Sequence, residues 1–334
     1  MLIISDTFWA VSACLLAMLC WGIWSNSQKL VTQDVAVALF YRDYLYGIAA
    51  TALLLAFTAG SLGKEGRSFL TDVQQADYRN LLLALAAGVV FNAGNRLLVA
   101  GISLAGIAIA MPVGTGIALV LGLVVNYLAE PEGHLALLTT GGGLIVVAML
   151  FGALAYRAKG DTQAFNRQGL IIVLLAGLQN GFFFRMITST LPADFADPEP
   201  LAITPFTAFV AFVIGLLLSN PLIERLVGRF MPDESSDASV QQYHAMNARH
   251  HLFGLLGGFI WGIGMGALLL ASQSAGNAIS FGLSQGATIV AVLCGLFIWH
   301  EFAGTPPVTN RWLWLMGVCY LLGIILIVVA RLVG

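Results

Sequence analysis

Charged side chains stand inside stretches of this sequence that are otherwise apolar. Asp43 directly follows Arg42 near the start of one such stretch, and Arg96 lies within another. If these stretches cross a membrane, a charge deep inside costs at least about 2.5–3.5 kcal/mol and usually faces a cavity or a partner. We therefore predict that Asp43 pairs with Lys29 or Arg96, either as a fixed strut or as a proton-dependent switch. Arg42 is expected to extend its charge to the lipid headgroups.

Amides and tryptophans form further polar patches within the apolar stretches. Asn92, Asn95 and Arg96 are spaced i, i+3 and i+4, so they share one face of a helix. Trp21 and Trp24 share a face of the first apolar segment. Side chains of these types can stack on a flat solute and exchange hydrogen bonds with it.

The composition indicates which elements position these residues. The chain has 334 residues, of which 59% are hydrophobic and 10% charged, and its mean hydropathy is +0.88. A soluble domain carries about 25% charged residues, so the sequence predicts an all-α membrane protein. The net charge of −2 gives no sign of nucleic-acid binding.

A spanning helix needs about 20 mostly apolar residues, because unpaired backbone groups in lipid are costly. By this criterion the sequence predicts ten transmembrane helices, at residues 7–29, 36–62, 80–103, 105–129, 134–157, 168–190, 201–228, 250–273, 276–300 and 311–333.

The two halves of the chain resemble each other. The sequence LLAMLCWG (Leu15–Gly22) parallels LLAGLQNG (Leu174–Gly181), and four glycines from Gly88 to Gly116 recur 170 residues later. Five spans per half is an odd number, so the second half must be inverted. We predict a first five-helix repeat at 1–160 and an inverted repeat at 161–334, the arrangement of many transporters, with a site near the midplane.

Superposing the repeats aligns Trp21 with Asn180, and Phe91 with Trp261. These residues would form either a pocket or, alternatively, interfacial aromatics and interhelical amide bonds. A base stacked on an aromatic ring gains about 1–3 kcal/mol, and a sugar also stacks on tryptophan. The predicted solute-binding residues are Trp21, Trp24, Gln28, Tyr41, Asn92, Asn95, Gln179, Asn180, Trp261, Ser284 and Gln285, and the predicted coupling or gating residues are Lys29, Asp43 and Arg96.

Small residues recur at every fourth position of the fourth span, from Gly106 to Gly122, and of its equivalent in the ninth, from Gly276 to Thr288. Close backbone approach through small residues is what joins helices in lipid. We predict that these two spans pack against each other or against a second protomer in a homodimer. Ser280, Ser284 and Thr288 could also offer hydroxyls to a cavity.

All five histidines lie at span ends or in loops, and the four cysteines lie in apolar runs without metal-ligand spacing. We therefore expect no enzyme active site, no metal site and no organic cofactor. Lysines and arginines favour one side of the predicted topology by eight to four. The positive-inside rule then places both termini outside a cell (inner) membrane.

Several stretches of the chain resemble one branch of the drug/metabolite transporter superfamily, that of the ureide permeases and the glucose and rhamnose permeases. The stretches that carry this resemblance are CWGIWSNSQKL (Cys20–Leu30), YRDYL (Tyr41–Leu45), FNAGN (Phe91–Asn95), MPVGTGIALVLGLVVNYLAEPEG (Met111–Gly133) and the segment Gly266–Phe302.

This resemblance implies a secondary transporter that works by alternating access and is often coupled to protons, with sodium as the alternative ion. Its solute would be a nucleobase or ureide such as uracil, xanthine or allantoin. The alternatives are a monosaccharide permease and an exporter of amino acids or drugs. By position, the resemblance makes Lys29, Asp43, Asn92 and Asn95 critical for transport. Residues 158–167 lack the nucleotide-binding loop of the plant proteins, and Arg42 and Arg96 depart from the pattern.

Overall fold

The structure, a computed structural model, describes residues 1–31, 35–160, 166–229 and 240–333. These residues form helices and no β-strands. The helices are α1 (Thr7–Lys29), α2 (Val37–Phe57), α3 (Phe69–Gln75), α4 (Tyr78–Ala105), α5 (Ile107–Ala129), α6 (Leu135–Lys159), α7 (Arg167–Thr188), α8 (Pro205–Gly228), α9 (Val240–Ala245), α10 (Ala248–Ala275), α11 (Asn277–Ser284), α12 (Ala287–Phe297) and α13 (Pro307–Val333). The predicted all-α membrane fold is confirmed.

Within the described ranges, nine helical segments are long and apolar enough to cross a membrane. The remaining predicted span is α2, whose hydropathy is lowered by Arg42 and Asp43. The ninth span differs from a continuous helix, because it is interrupted between α11 and α12 at Gln285 and Gly286. Discontinuous helices are common in transporters, where they expose backbone groups to a cavity.

Two glycines at equivalent repeat positions separate consecutive helices. Gly106 (φ +79°) lies between α4 and α5, and Gly276 (φ +87°) lies between α10 and α11. This left-handed backbone conformation is open to glycine and strained for other residues. The 170-residue offset read from the sequence therefore matches a shared local backbone structure.

Contacts divide the chain into two compact units, each built from two segments. Unit 1 comprises Met1–Asn92 and Arg185–Ala275, and unit 2 comprises Ala93–Phe184 and Gly276–Gly334. Each unit takes residues from both predicted repeats, so the compact units are not the sequence halves 1–160 and 161–334. The repeat boundary itself remains a prediction.

In unit 1, α10 packs on α2 through a row of glycines at Gly254, Gly258, Gly262 and Gly266. A Cβ on Gly258 would lie 1.9 Å from the carbonyl oxygen of Tyr44. Gly254 faces Asp43 and Gly262 faces Thr51, so α2 and α10 run in the same direction. Polar residues early in both helices therefore meet at one end of unit 1.

The packing of α4 on α8 repeats this pattern. A Cβ on Gly88 would lie 2.0 Å from the carbonyl oxygen of Phe212, and one on Gly215 would lie 2.0 Å from that of Leu85. Gly88 and Leu85 precede Gly258 and Leu255 by 170 residues, and a Cβ on Gly47 would lie 2.2 Å from the Leu255 oxygen. The same backbone contact thus occurs twice, as an internal repeat would produce.

In unit 2, the small-residue row on α5 packs inside the chain. A Cβ on Gly122 would lie 2.1 Å from the ring of Phe281 on α11, while Ala110 and Ala118 are buried. Gly122 therefore serves the contact between the fourth and ninth spans, whereas Gly114 faces Leu98 of α4 and Val173 of α7. The homodimer remains a prediction.

Candidate functional site

Asp43 is buried on α2, with 2% of its surface exposed. Its Oδ1 accepts a hydrogen bond from the Tyr243 hydroxyl, and its Oδ2 lies 2.8 Å from Nδ1 of His251. Tyr243 belongs to the short helix α9, and His251 to the first turn of α10. Both partners of the buried carboxylate therefore lie outside its own helix.

Arg42, the neighbour of Asp43, forms an ion pair with Glu224 on α8, with Nη2 and Oε1 3.1 Å apart. The side chains of both residues are largely shielded from solvent, at 26% and 11% exposed. The amide nitrogen of Asn220 donates to the other carboxylate oxygen of Glu224 at 3.4 Å. Arg42 is thus matched by an opposite charge within unit 1, and the expectation that it extends to the headgroups is not needed.

Asn92 joins three helices of unit 1. Its Oδ1 accepts a hydrogen bond from the Tyr41 hydroxyl at 2.9 Å, and its Nδ2 donates to the Ser219 hydroxyl at 3.0 Å and to the Leu216 carbonyl at 3.3 Å. Asn92 is fully buried. In this conformation its amide connects α2, α4 and α8, so binding a solute would require some of these bonds to exchange.

The aromatic cluster lies in the same unit and consists of Trp21, Trp24, Tyr41, Tyr44, Phe91, Phe212 and Trp261. The rings of Trp21 and Trp261 stack, with centroids 5.4 Å apart and planes 6° apart. Phe91 lies 5.0 Å from Trp261, so two residues aligned by the repeat touch each other. The predicted aromatic plates therefore stack on one another in this conformation.

Tyr44 is the unusual member of the aromatic cluster. Its ring lies 4.6 Å from Trp24 and 5.4 Å from Tyr41, and none of its surface is exposed. Its hydroxyl has no hydrogen-bond partner among the described residues. Leaving a buried hydroxyl unpaired costs about 1–3 kcal/mol. The Tyr44 hydroxyl is therefore available as a hydrogen-bond donor beside the tryptophans.

Unit 2 contains two buried amide oxygens that also lack hydrogen-bond partners among the described residues. They are the side-chain oxygens of Gln179 and Asn180 on α7. Both residues pack on α4 at Gly94, where a Cβ would lie 2.7 Å from Oδ1 of Asn180. The predicted residues Asn95 and Arg96 follow directly on α4, and Arg96 is 3% exposed.

The other predicted residues lie at helix ends. Gln28 and Lys29 are half-buried in the last turn of α1. Ser284 is fully buried at the end of α11, and its hydroxyl donates to the Phe281 carbonyl at 2.7 Å. Gln285 lies at the break after α11. The predicted pairing of Asp43 with Lys29 or Arg96 remains a prediction.

Sequence reasoning missed Tyr243, His251 and Glu224. His251 was set aside because it lies at a span end. The signal that could have found it is the alternation of spans: the second and eighth spans run in the same direction, so Asp43 and His251, both early in their helices, share one end. No comparable signal in the sequence indicates Tyr243.

A chain of long apolar helices that buries carboxylate, guanidinium and amide groups is a multi-pass membrane protein of the transporter class. The chain belongs to the family described as Sugar transport protein, whose model matches residues 14–333.

Relatives match the chain over most of its length. Ureide permease 4 of Arabidopsis thaliana is 22% identical, covering 90% of this chain and 92% of its own, and ureide permease 1 of the same plant is 23% identical, covering 88% and 89%. The glucose uptake protein GlcU of Staphylococcus xylosus is 23% identical, covering 77% and 78%. A solved crystal structure shares the fold, with a TM-score of 0.62 at 14% identity, covering 98% of this chain and 100% of its own.

Proposed function

We propose that this transporter moves a nucleobase or a ureide, such as uracil, xanthine or allantoin, by alternating access and with a proton as the coupling ion. The observation that carries the proposal is the aromatic cluster with the unpartnered hydroxyl of Tyr44. A flat solute with carbonyl and N–H groups can stack on such rings and satisfy the hydroxyl. The names of the plant relatives support a ureide as the solute.

The second candidate is a monosaccharide permease. It is favoured by the family description and by the match to a glucose uptake protein. Sugars also stack on tryptophan, and a sugar hydroxyl would serve the unpartnered hydroxyl of Tyr44 in the same unit. Export of amino acids or drugs is the third alternative, and transport without catalysis is supported by the permease names of the relatives.

Uptake into proteoliposomes separates these candidates. We expect uracil, xanthine or allantoin to compete with a labelled nucleobase, and an inward proton gradient to drive its accumulation. A protonophore should reduce the internal concentration to the external one. Uptake of labelled glucose or rhamnose that the nucleobases and allantoin do not inhibit would establish the sugar alternative. Dependence on sodium would make sodium the coupling ion, and failure of every solute would reject the proposal.

Replacing Tyr44 with phenylalanine tests the solute site. Loss of one hydrogen bond to the solute should weaken its affinity by up to about tenfold. The same change should raise the melting temperature of the solute-free protein, because an unpaired buried hydroxyl is removed. Binding and thermal unfolding are both measured on purified protein, with Tyr46→Phe, whose ring is 52% exposed, as the matched control. Unchanged affinity would exclude Tyr44 from the site.

For the membrane location, we propose the cell (inner) membrane with both termini outside, on the basis of the unequal distribution of lysine and arginine. Labelling of cysteines introduced at either terminus in intact cells tests this orientation.

A further inference from the structure

The geometry points to a proton-binding site shared by Asp43 and His251 and closed by Tyr243 of α9. This inference rests on the proposed proton-coupled transport, and it adds to that proposal the residues that receive the proton and the helix that responds to it. Nothing in the sequence patterns had connected Tyr243 or His251 to coupling.

Asp43 and His251 form a pair at one end of unit 1. Oδ2 of Asp43 lies 2.8 Å from Nδ1 of His251, and the carboxylate is 2% exposed whereas the histidine side chain is 26% exposed. A buried carboxylate is costly unless it is paired. A histidine changes its charge within the physiological range, so a proton can enter from its more exposed side.

Other charged groups lie around the Asp43–His251 pair. Among the described residues, the titratable groups at this end of unit 1 include Lys29 at the end of α1, Arg42, Asp43 and Tyr46 on α2, Glu224 on α8, Tyr243 and His244 on α9, and His250 and His251 on α10. Arg42 and Glu224 form an ion pair 3.1 Å apart. The charges of Arg42 and Glu224 neutralise each other. A proton added to the Asp43–His251 pair therefore changes the net charge at this end of unit 1.

Tyr243 donates its hydroxyl hydrogen bond to Asp43. Burial, followed by the hydrogen bond to Asp43, raises the pKa of Tyr243 well above its ordinary value. Its hydroxyl therefore stays protonated and donates to Asp43 throughout the physiological range. A hydrogen bond to a carboxylate is about twice as strong as one to a neutral group. Tyr243 thus responds to the charge of Asp43 without titrating itself.

Tyr243 lies on helix α9, the element that we propose moves. Helix α9 has six residues, too few to be stable without tertiary contacts. Its contacts with the site include the Tyr243 hydrogen bond to Asp43 and the edge of the Tyr243 ring against His251, with centroids 4.8 Å apart. A cleft of about 520 Å³ lies between the start of α2, at Val35, Ala36 and Leu39, and helix α9, at Gln242 and Ala245. A proton taken up by the Asp43–His251 pair should therefore compensate the negative charge that Tyr243 binds, and so release α9.

Hydrogen–deuterium exchange of the full-length protein in detergent tests this inference without a solute. Backbone amides of residues 241–247 should exchange about tenfold faster at pH 5 than at pH 8, after correction for the intrinsic pH dependence of exchange, because the proton on the pair compensates the charge that strengthens the Tyr243 bond. Asp43→Asn and Tyr243→Phe should each give fast exchange at both pH values. His251→Gln should shift or remove the pH dependence.

His244→Gln, which alters an exposed histidine of α9, serves as the matched control and should keep the wild-type response. Protection of α6 and α13 in every variant shows that the protein is folded. Exchange that is independent of pH in the wild type, or that is unaffected by Asp43→Asn, would overturn the inference. Absence of transport for every solute, with the exchange response intact, would reject the proposed function and leave the proton site supported.

Discussion

Replacing Asp43 with asparagine should abolish the accumulation of solute against its gradient while solute exchange across the vesicle membrane continues. Asparagine has nearly the same shape, so the contact of Asp43 with Gly254 on α10 is kept. It cannot take up or release a proton, so the proton gradient no longer contributes free energy to transport. The internal concentration of labelled solute should therefore stop rising at the external concentration.

The measurement compares net uptake under a proton gradient with counterflow at equal pH, in the same proteoliposomes. Asp197→Asn is the matched control, because Asp197 is an exposed carboxylate of unit 1 outside the site. A variant at Asp43 that still concentrates solute would remove this residue from the coupling step. Loss of both uptake and counterflow, with the protein folded, would instead give Asp43 a role in binding or movement.

A methyl group at Gly258 should disrupt unit 1 severely. The Cβ of Gly258→Ala would lie 1.9 Å from the carbonyl oxygen of Tyr44 and 2.8 Å from the backbone nitrogen of Ile48. Backbone atoms cannot move aside as a flexible side chain can, so α2 and α10 must separate. The cost should reach or exceed the upper end of the usual overpacking range, about 3 kcal/mol.

Thermal unfolding of the purified protein, or the folded yield where purification fails, measures this effect. Gly88→Ala should be about as destabilising, because its Cβ would lie 2.0 Å from the carbonyl oxygen of Phe212 in the equivalent contact. Gly317→Ala on α13 is the control, since nothing lies within 4 Å of the added carbon. Equal melting temperatures for Gly258→Ala and Gly317→Ala would show that the two helices are not in close contact.

The sequence predicts the elements of this fold well because membrane spans are dictated by length and hydropathy. Helix α1 has the predicted bounds, and most other spans differ from theirs by a few residues. The interruption at Gln285 and Gly286 was not predicted, since an apolar window passes over a local break. Helix α2 was predicted to end at residue 62. It ends at Phe57, and the chain then turns toward α3.

The candidate site was predictable to the extent that residues share a helix or a repeat. Asn92 and Tyr41 were both predicted for the site, and they share a hydrogen bond. Phe91 and Trp261 were aligned by the repeat, and their rings are in contact. Partners that come from other helices, such as Ser219 for Asn92 and Tyr243 for Asp43, depend on packing that no local pattern encodes.

The glycine row of α10 also has a mechanical consequence. Contact between backbones leaves no compressible layer of side chains between α2 and α10, so the two helices should behave as one stiff rod. Asp43 and His251 sit on the two members of that rod and would travel together through every stage of a transport cycle. Their separation would then stay constant while their surroundings change, and the residue free to depart is Tyr243.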